Sequence, residues 1–346
     1  MKAIKIKTPG HAEVEDVPTP QIRPGYVLVK TVAVALNPTD WKHIDFVPCE
    51  GSTSGCDYAG VVQELGPGVT DVAVGDRIAG FAHGGNANNK EDGAFAEYLV
   101  AKAGPHMEIP ENVSWEEAAT LGVGITTVGQ GLYQSLRLPL PEQPAKTKFT
   151  VLIYGGSTAT GALAIQFAKL SGLDVITTCS PRNFDLVHSL GASAAFDYNS
   201  PTCGADIRAH TQNSLYHAFD CVSEHSSPKI CAEALSTETS SKKPAYSALL
   251  NVEFPRQDVD ARQTLGYTVV GEEFFKFGAN FPAKKEDFEF GKMFWALSQR
   301  LLEEKKFRVH QPDVRDGGLN GILEGLNDLR QGKVSGKKLV YHIASA

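Results

Sequence analysis

The stretch Phe149–Gly172, FTVLIYGGSTATGALAIQFAKLSG, narrows the folds open to this chain more than any other. Its apolar run Phe149–Tyr154 is rich in β-formers and reads as a strand buried on both faces. Gly155 and Gly156 turn the chain, Ser157, Thr158 and Thr160 add hydroxyls, and Gly161 leads into a helix. Leu163, Phe167 and Leu170 recur at helical spacing, with Gly172 placed to end that helix. Strand, glycine turn and helix in this order open a dinucleotide-binding unit, because helix N-terminal amides attract a pyrophosphate. A tight turn in an ordinary α/β domain is the plainer alternative. The G-x-G-x-x-G spacing has Thr158 at its second glycine. The backbone there approaches a diphosphate less closely, and side-chain hydroxyls are expected to take over part of the binding.

The next unit, Asp174–Gly191, strengthens the first reading. Val175–Thr178 reads as a second strand, Ser180 as an N-cap, Pro181 as a first helical residue and Gly191 as a helix stop. An NAD site places an acidic residue about 20 positions past the glycine turn, on the ribose 2′-hydroxyl. Here that segment is Cys179-Ser180-Pro181-Arg182-Asn183. It has no carboxylate to repel a 2′-phosphate, and Arg182 offers a planar fork of donors to one. The pattern favours NADPH over NADH, against the alternative of a solvated arginine at a helix start.

Alternation continues downstream. Ala194–Tyr198, Tyr216–Val222 and Ala245–Asn251 read as strands three to five, Lys229–Leu235 as a helix, and Tyr267–Gly271 as a sixth strand. Such βα repetition predicts a parallel doubly wound sheet in an α/β protein. Residues 1–120 instead look β-rich, with strands expected at Val27–Val34, Gly60–Leu65, Arg77–Phe81 and Ala94–Val100 between glycine and proline breaks. Ser114 with Glu117 three residues on is a capping-box helix start. Gln134–Lys148 reads as a connecting loop, Phe288–Glu304 as an amphipathic helix, and Leu319–Ile343 as helix, turn and strand. The length of 346 residues suggests two domains.

The net charge of −7 argues against a nucleic-acid binder or a basic membrane patch. No apolar stretch approaches the roughly 20 residues that span a bilayer, and the start MKAIKIKTPG has no signal-peptide apolar region. The six cysteines are dispersed without a C-x-x-C pair, as in a reduced cytoplasmic protein.

Together with these units, the motifs Leu36-Asn37-Pro38-Thr39-Asp40, Gly55-Cys56-Asp57-Tyr58-Ala59-Gly60, Val74-Gly75-Asp76-Arg77-Ile78 and Gly332-Lys333-Val334-Ser335-Gly336-Lys337 resemble the medium-chain dehydrogenase/reductase superfamily over nearly the whole chain. The resemblance implies a GroES-like catalytic domain from residues 1–122 and 278–346, and a Rossmann domain from 123–277. Zinc-dependent members carry Cys at the first motif and His-Glu at the second, with a cysteine cluster elsewhere. This chain has Asn37 and Cys56-Asp57 and no cluster, which implies a zinc-free reductase.

Tyr154-Gly155-Gly156-Ser157-Thr158-Ala159-Thr160 and the run from Thr178-Cys179-Ser180-Pro181 to Asn183-Phe184-Asp185-Leu186 most resemble stand-alone, trans-acting enoyl reductases of fungal highly reducing polyketide synthases. That implies NADPH-dependent reduction of an enoyl thioester held on the synthase's acyl carrier domain, without nucleic acid or membrane partners. By this resemblance Ser157, Thr158, Ala159 and Thr160 hold the diphosphate, and Ser180, Pro181, Arg182, Asn183 and Tyr198 the 2′-phosphate end. Leu250 and Asn251 line the cofactor crevice, Val334 and Ser335 fold over the cofactor, and Thr39, Asp40, Trp41 and Lys42 lie near the nicotinamide. Acyl-pocket walls are implied at Thr127, Val128, Gly129, Gln130, Gly131, Leu132, Tyr133 and Gln134, and at Gly266, Tyr267, Thr268, Val269 and Val270. The first set reads equally as a helix joining domains, and the second as a sheet strand. Lys42 and Thr127 stand as catalytic candidates near the reacting centre; Lys42 reads alternatively as a ribose contact or a surface lysine. A free-standing quinone or enone reductase and a non-catalytic NADPH-binding partner remain open.

Overall fold

The computed structural model describes residues 1–240 and 242–343. They form two compact units, Thr127–Gly266 being one and Met1–Thr126 with Tyr267–Ala346 the other.

The first unit begins with an antiparallel pair, β1 (Lys2–Thr8) and β2 (His11–Asp16). The spine is β3 (Tyr26–Ala35), whose alternating valines bury against Ile4, Ile6 and Tyr58. The helix α1 (Pro38–Phe46) follows, then β4 (Asp57–Leu65), β5 (Arg77–Phe81), β6 (Tyr98–Lys102) and β7 (His106–Glu108). The strand expected at Ala94–Val100 starts only at Tyr98. Ala94–Ala96 is buried, but the segment changes partners midway: Phe95 carbonyl accepts from Ile4 amide at 2.8 Å, whereas Glu97 carbonyl accepts from Thr31 amide at 3.0 Å. Helix α2 (Trp115–Ala119) has the predicted capping box, with Ser114 Oγ accepting from Glu117 amide at 3.2 Å and Glu117 Oε2 accepting from Ser114 amide at 3.0 Å. Helix α3 is Gly122–Val128.

The second unit contains π-helical turns at Gly129–Ser135, then β8 (Thr150–Tyr154), α4 (Ala159–Leu170), β9 (Asp174–Cys179), α5 (Phe184–Leu190), β10 (Ala194–Asp197), α6 (Cys203–His210), β11 (His217–Asp220), α7 (Ser227–Ala234), β12 (Ala245–Ala248) and β13 (Asp260–Gln263). All six strands are parallel, in the order β10-β9-β8-β11-β12-β13. That is the doubly wound 3-2-1-4-5-6 arrangement, whose ligand crevice lies beyond the strands' carboxyl ends. The sixth strand is not Tyr267–Gly271, as the apolar run suggests, but Asp260–Gln263. An edge strand carries charge where a central one carries valine, so β13 hides its period. Gly266–Val270 is a 3₁₀ turn, and its apolar character reflects burial, which periodicity cannot distinguish from a strand over so few residues.

The chain then returns to the first unit with a hairpin, β14 (Phe274–Lys276) and β15 (Ala279–Phe281). Its two turn residues, Phe277 and Gly278, both have positive φ, the backbone a tight hairpin needs. Helix α8 (Lys285–Glu303), strand β16 (Pro312–Arg315), helix α9 (Gly318–Arg330) and strand β17 (Lys338–His342) complete it. Leu319, Ile322 and Leu326 form the buried stripe of α9. The sheet runs β16-β17-β3-β4-β5-β7, with β6 also on β3. Among the described residues no helix is long and apolar enough to cross a membrane.

Candidate active site

In the second unit the glycine turn links β8 to α4. Gly155 has φ +82°, open to glycine at little cost. A Cβ on Gly156 would fall 2.1 Å from Thr177 Oγ1, and one on Gly161 2.2 Å from the Gly155 carbonyl oxygen. Thr158 needs no glycine, since its φ is −73°. Its hydroxyl donates to Gly155 carbonyl at 2.8 Å and accepts from Gly161 amide at 3.0 Å, capping α4. The Thr158 hydroxyl is therefore committed inside the turn. Ser157 and Thr160 are half-buried and make no side-chain hydrogen bond among the described residues. The first-turn amides of α4 at Ala159 and Thr160 have no intrahelical partner, as at any helix start.

Beyond β9, Ser180 Oγ and Tyr198 Oη lie 3.1 Å apart, and Tyr198 is half-exposed. Arg182 is exposed in the 3₁₀ turn Pro181–Asn183 and forms no ion pair among the described residues. Asp197, opposite Cys179 in the parallel register, accepts instead from the amide and side chain of Asn199, both at 2.9 Å. The end of β11 is fixed by Asp220, buried under four donors: the Val222 and Ser223 amides, Ser227 Oγ and Tyr246 Oη, at 2.6–3.0 Å. Ser223 Oγ in turn accepts from Leu249 amide at 2.8 Å, holding the segment that leads to Leu250 and Asn251. A free guanidinium, unspent hydroxyls and a helix N-terminus fit a phosphorylated dinucleotide.

Of the expected acyl wall, Thr127 is buried at the end of α3. A Cβ on Gly131 would fall 2.4 Å from the Phe219 ring, so close packing explains that glycine. Tyr133 Oη reaches Ser171 Oγ at 2.9 Å and Phe167 carbonyl at 3.3 Å.

In the first unit, Asn37 caps α1 and Asp40 Oδ2 accepts from Asn37 amide at 2.7 Å. Asp40 is fully buried, and desolvation pushes its carboxyl up to about 7. Trp41 packs on Phe46, with the Arg330 guanidinium 5.7 Å from its ring centre; Lys42 Nζ also lies 5.7 Å from that ring. Thr39 points elsewhere: its Oγ1 is 2.9 Å from Tyr267 Oη. Tyr267 Oη is 3.1 Å from His43 Nε2, which also lies 3.1 Å from Lys276 Nζ. His83 stacks on the Tyr267 ring at 4.4 Å. Tyr267, His43, His83 and Lys276 are all buried. Burial, with the Lys276 charge adding to it, lowers both imidazoles well below their usual value, and burial brings Lys276 down to about 8.

The family models that match are the alcohol dehydrogenase GroES-like domain over residues 23–111 and zinc-binding dehydrogenase over 159–238. The chain is 49% identical over 360 aligned residues to the trans-enoyl reductase resD of Aspergillus sclerotiorum, covering 99% of this chain and 100% of that one. The chain belongs to the trans-enoyl reductases, in the medium-chain dehydrogenase/reductase superfamily. It is also 48% identical to the trans-enoyl reductase ACTTS2 of Alternaria alternata, over 99% of this chain and 98% of the relative. The quinone oxidoreductase of Coxiella burnetii has a similar structure, with TM-score 0.75 and 25% identity over 99% of each chain.

One matching model bears the name zinc-binding, but the donors of this trans-enoyl reductase do not fit zinc. Asp57 Oδ1 accepts from Val123 amide at 2.6 Å, and Oδ2 pairs with Lys338, which also donates to Thr120 carbonyl at 3.0 Å. Both Asp57 oxygens are thus occupied by structural partners. Asn37 caps a helix, and burial raises the Cys56 thiol far above its usual range, away from the thiolate a metal requires. Among the described residues no three His, Cys, Asp or Glu side chains are grouped to hold a metal.

In the sequence of this trans-enoyl reductase, nothing marks His43, His83 and Lys276 as one group. His43 adjoins Lys42, but its partners Tyr267 and Lys276 lie 224 and 233 residues away. No local pattern joins them.

Proposed function

We propose that this trans-enoyl reductase is NADPH-dependent and reduces the α,β-double bond of an enoyl thioester presented by the acyl carrier domain of a polyketide synthase. The near full-length likeness to trans-enoyl reductases carries the reading. A nicotinamide cofactor suits the superfamily and the β8–α4 turn, and the unpaired Arg182 supports the phosphorylated form. The cofactor, when bound, supplies a hydride to the β-carbon. Ser157, Thr160 and the first-turn amides of α4 hold the diphosphate, while Ser180, Arg182, Asn183 and Tyr198 hold the 2′-phosphate end. Leu250, Asn251, Val334 and Ser335 complete the cofactor contacts, and Thr39 and Lys42 orient the nicotinamide end. Negative charge develops on the thioester oxygen, so a donor such as Thr127 and the exclusion of water do the work a Lewis acid does elsewhere. The acyl chain lies along Thr127–Gln134 and Gly266–Val270.

The enzyme works without metal, because the donors that could ligate one are committed elsewhere. It works in the cytosol, where its six free cysteines stay reduced. In this reading most dinucleotide contacts come from residues 123–277, and residues 1–122 with 278–346 add Thr39, Lys42, Val334 and Ser335. The test is NADPH oxidation with a two-hydrogen mass gain in the acyl product. Carrier-bound enoyl thioesters should outperform short free ones, since carrier delivery raises effective concentration, and prolonged chelation should leave the rate unchanged. Faster reduction of free quinones than of every thioester, carrier-bound ones included, would overturn the assignment. Tight NADPH binding with no turnover of either class would make the chain a non-catalytic partner.

A further inference from the structure

Two stretches of the first unit, Thr39–His43 and Tyr267–Lys276, lie far apart in sequence and place a continuous line of proton-bearing groups in its interior. Thr39 Oγ1 lies 2.9 Å from Tyr267 Oη, Tyr267 Oη 3.1 Å from His43 Nε2, and His43 Nε2 3.1 Å from Lys276 Nζ. The inner three side chains are buried and Thr39, at the outer end, is half-buried. Packing does not call for such a line, since a buried ammonium is costly and an apolar residue of similar size is cheaper. Lys276 forms no ion pair among the described residues. Its Nζ meets only His43 Nε2 and, at 3.3 Å, Gly85 carbonyl, and it stands 4.4 Å from the Tyr267 ring centre.

We propose that Lys276, His43 and Tyr267 feed a proton to Thr39, and that this line protonates the α-carbon of the substrate. The inference rests on the enoyl-reductase reading above, which places Thr39 beside the nicotinamide end. After hydride reaches the β-carbon, the enolate's electron pair forms a C–H bond with the Thr39 hydroxyl proton, and the thioester carbonyl reforms. Thr39 takes the Tyr267 proton as its own leaves. Tyr267 takes a proton from His43 Nε2, which has accepted it from the Lys276 ammonium. Lys276, now neutral, regains its proton from water, so the net donor is one solvent proton. Thr39 is the catalytic residue here; Tyr267, His43 and Lys276 act through it.

The ionisable groups that face Lys276 are His43 from α1, His83 beyond β5, Cys56 just before β4 and Cys49; Tyr267 additionally faces Asp40. Desolvation outweighs these neighbours and holds the Lys276 ammonium near 8, a value suited to donating a proton at neutral pH. Protonated Lys276 is the donor, so kcat should hold below about pH 8 and fall above it.

The experiment pairs turnover with a titration that needs no substrate. Tyr267→Phe keeps the ring on His83 and removes only the hydroxyl. It should lower kcat about 100-fold, remove the fall in kcat above pH 8, and scramble deuterium at the α-carbon in D2O. In the enzyme without substrate, the nitrogen-15 NMR resonance of neutral His43 Nε2 should shift near pH 8 as its neighbour Lys276 titrates, and Lys276→Met should abolish that step. Wild-type kcat, pH profile and a single α-configuration in Tyr267→Phe would overturn the proposal. So would a His43 resonance that does not shift near pH 8. If the titration holds and no thioester is reduced, the enoyl-reductase reading fails and the α-carbon role fails with it.

Discussion

The glycine turn of the second unit and the buried line of the first are built on opposite plans. The turn spans Gly155 to Gly161, and its decisive contacts join neighbours: Thr158 to Gly155 and to Gly161. It displays backbone amides and neutral hydroxyls, so it carries little buried charge. The first unit brings ionisable groups together from both ends of the chain, as in His43 with Lys276 and Asp57 with Lys338. Local geometry makes a site that is cheap and legible; long-range burial of charge makes one that is expensive and silent in the sequence.

The sharpest way to break this contrast is at Lys338. It and Asp57 are both buried, and removing one partner of such a pair leaves an uncompensated charge. Lys338→Met should cost about 3–5 kcal/mol in urea unfolding. Adding Asp57→Asn should recover a large part, because the orphaned charge is then gone. A single-variant cost below 1 kcal/mol would show that the pair is effectively solvated.

Asp40 tests the same idea through pH. Burial raises its folded pKa from 3.8 to about 7, so its stabilising contribution is intact below about pH 3.8 and is lost as pH rises through 7. Asp40→Asn keeps an oxygen to accept from Asn37 amide and mimics the protonated form at every pH. The variant should match wild type near pH 4 and become more stable than it above pH 7, by on the order of 2–4 kcal/mol. Taking the difference between the two proteins cancels the opposing contributions of His43 and His83. A difference that does not change with pH would mean that Asp40 stays ionised in the folded state.

These effects explain what the sequence could disclose. The β8–α4–β9 unit was readable because strand period, glycine turn and helix cap all act within a few residues. The Ser114 capping box was readable for the same reason. The strand β13 was not, since its edge position selects Asp260, Ala261, Arg262 and Gln263 over an apolar run. Gly131 is placed by resemblance in an acyl wall, and only the structure shows that the Phe219 ring requires a glycine there. Tyr267 was placed by resemblance in an acyl wall, but its bonds to Thr39 and His43 depend on a pairing across more than 220 residues. The Asn37 and Asp57 positions were informative as departures from the zinc pattern; only the structure shows that they serve as a helix cap and an ion-pair partner.

On the local side of the comparison, Arg182 is the residue with most to lose. If its free guanidinium meets the 2′-phosphate, Arg182→Ala should weaken NADPH binding about tenfold to a hundredfold, or roughly 1.5–3 kcal/mol. NADH affinity should stay within about twofold by the same titration, since it lacks the phosphate. The loss should shrink in high salt, because exposed charges are screened. Equal weakening of both cofactors would make Arg182 a structural residue of the Pro181–Asn183 turn.

The smallest effect is the most discriminating one, at Thr158. If its hydroxyl is a helix cap, Thr158→Ala should cost about 1 kcal/mol of stability, whereas Thr158→Gly should cost only a few tenths, and neither should lower NADPH affinity beyond that loss. If the hydroxyl is instead a phosphate ligand, both variants should weaken NADPH equally, with little change in unfolding. The geometry favours the cap, because Gly161 amide and Gly155 carbonyl already take up its hydrogen-bonding capacity. Ser157→Ala and Thr160→Ala supply the opposite pattern: their hydroxyls cap nothing, so affinity should drop while stability stays level. Finding the cap effect at Ser157, or the affinity effect at Thr158, would mean that the cofactor rebuilds the turn on binding.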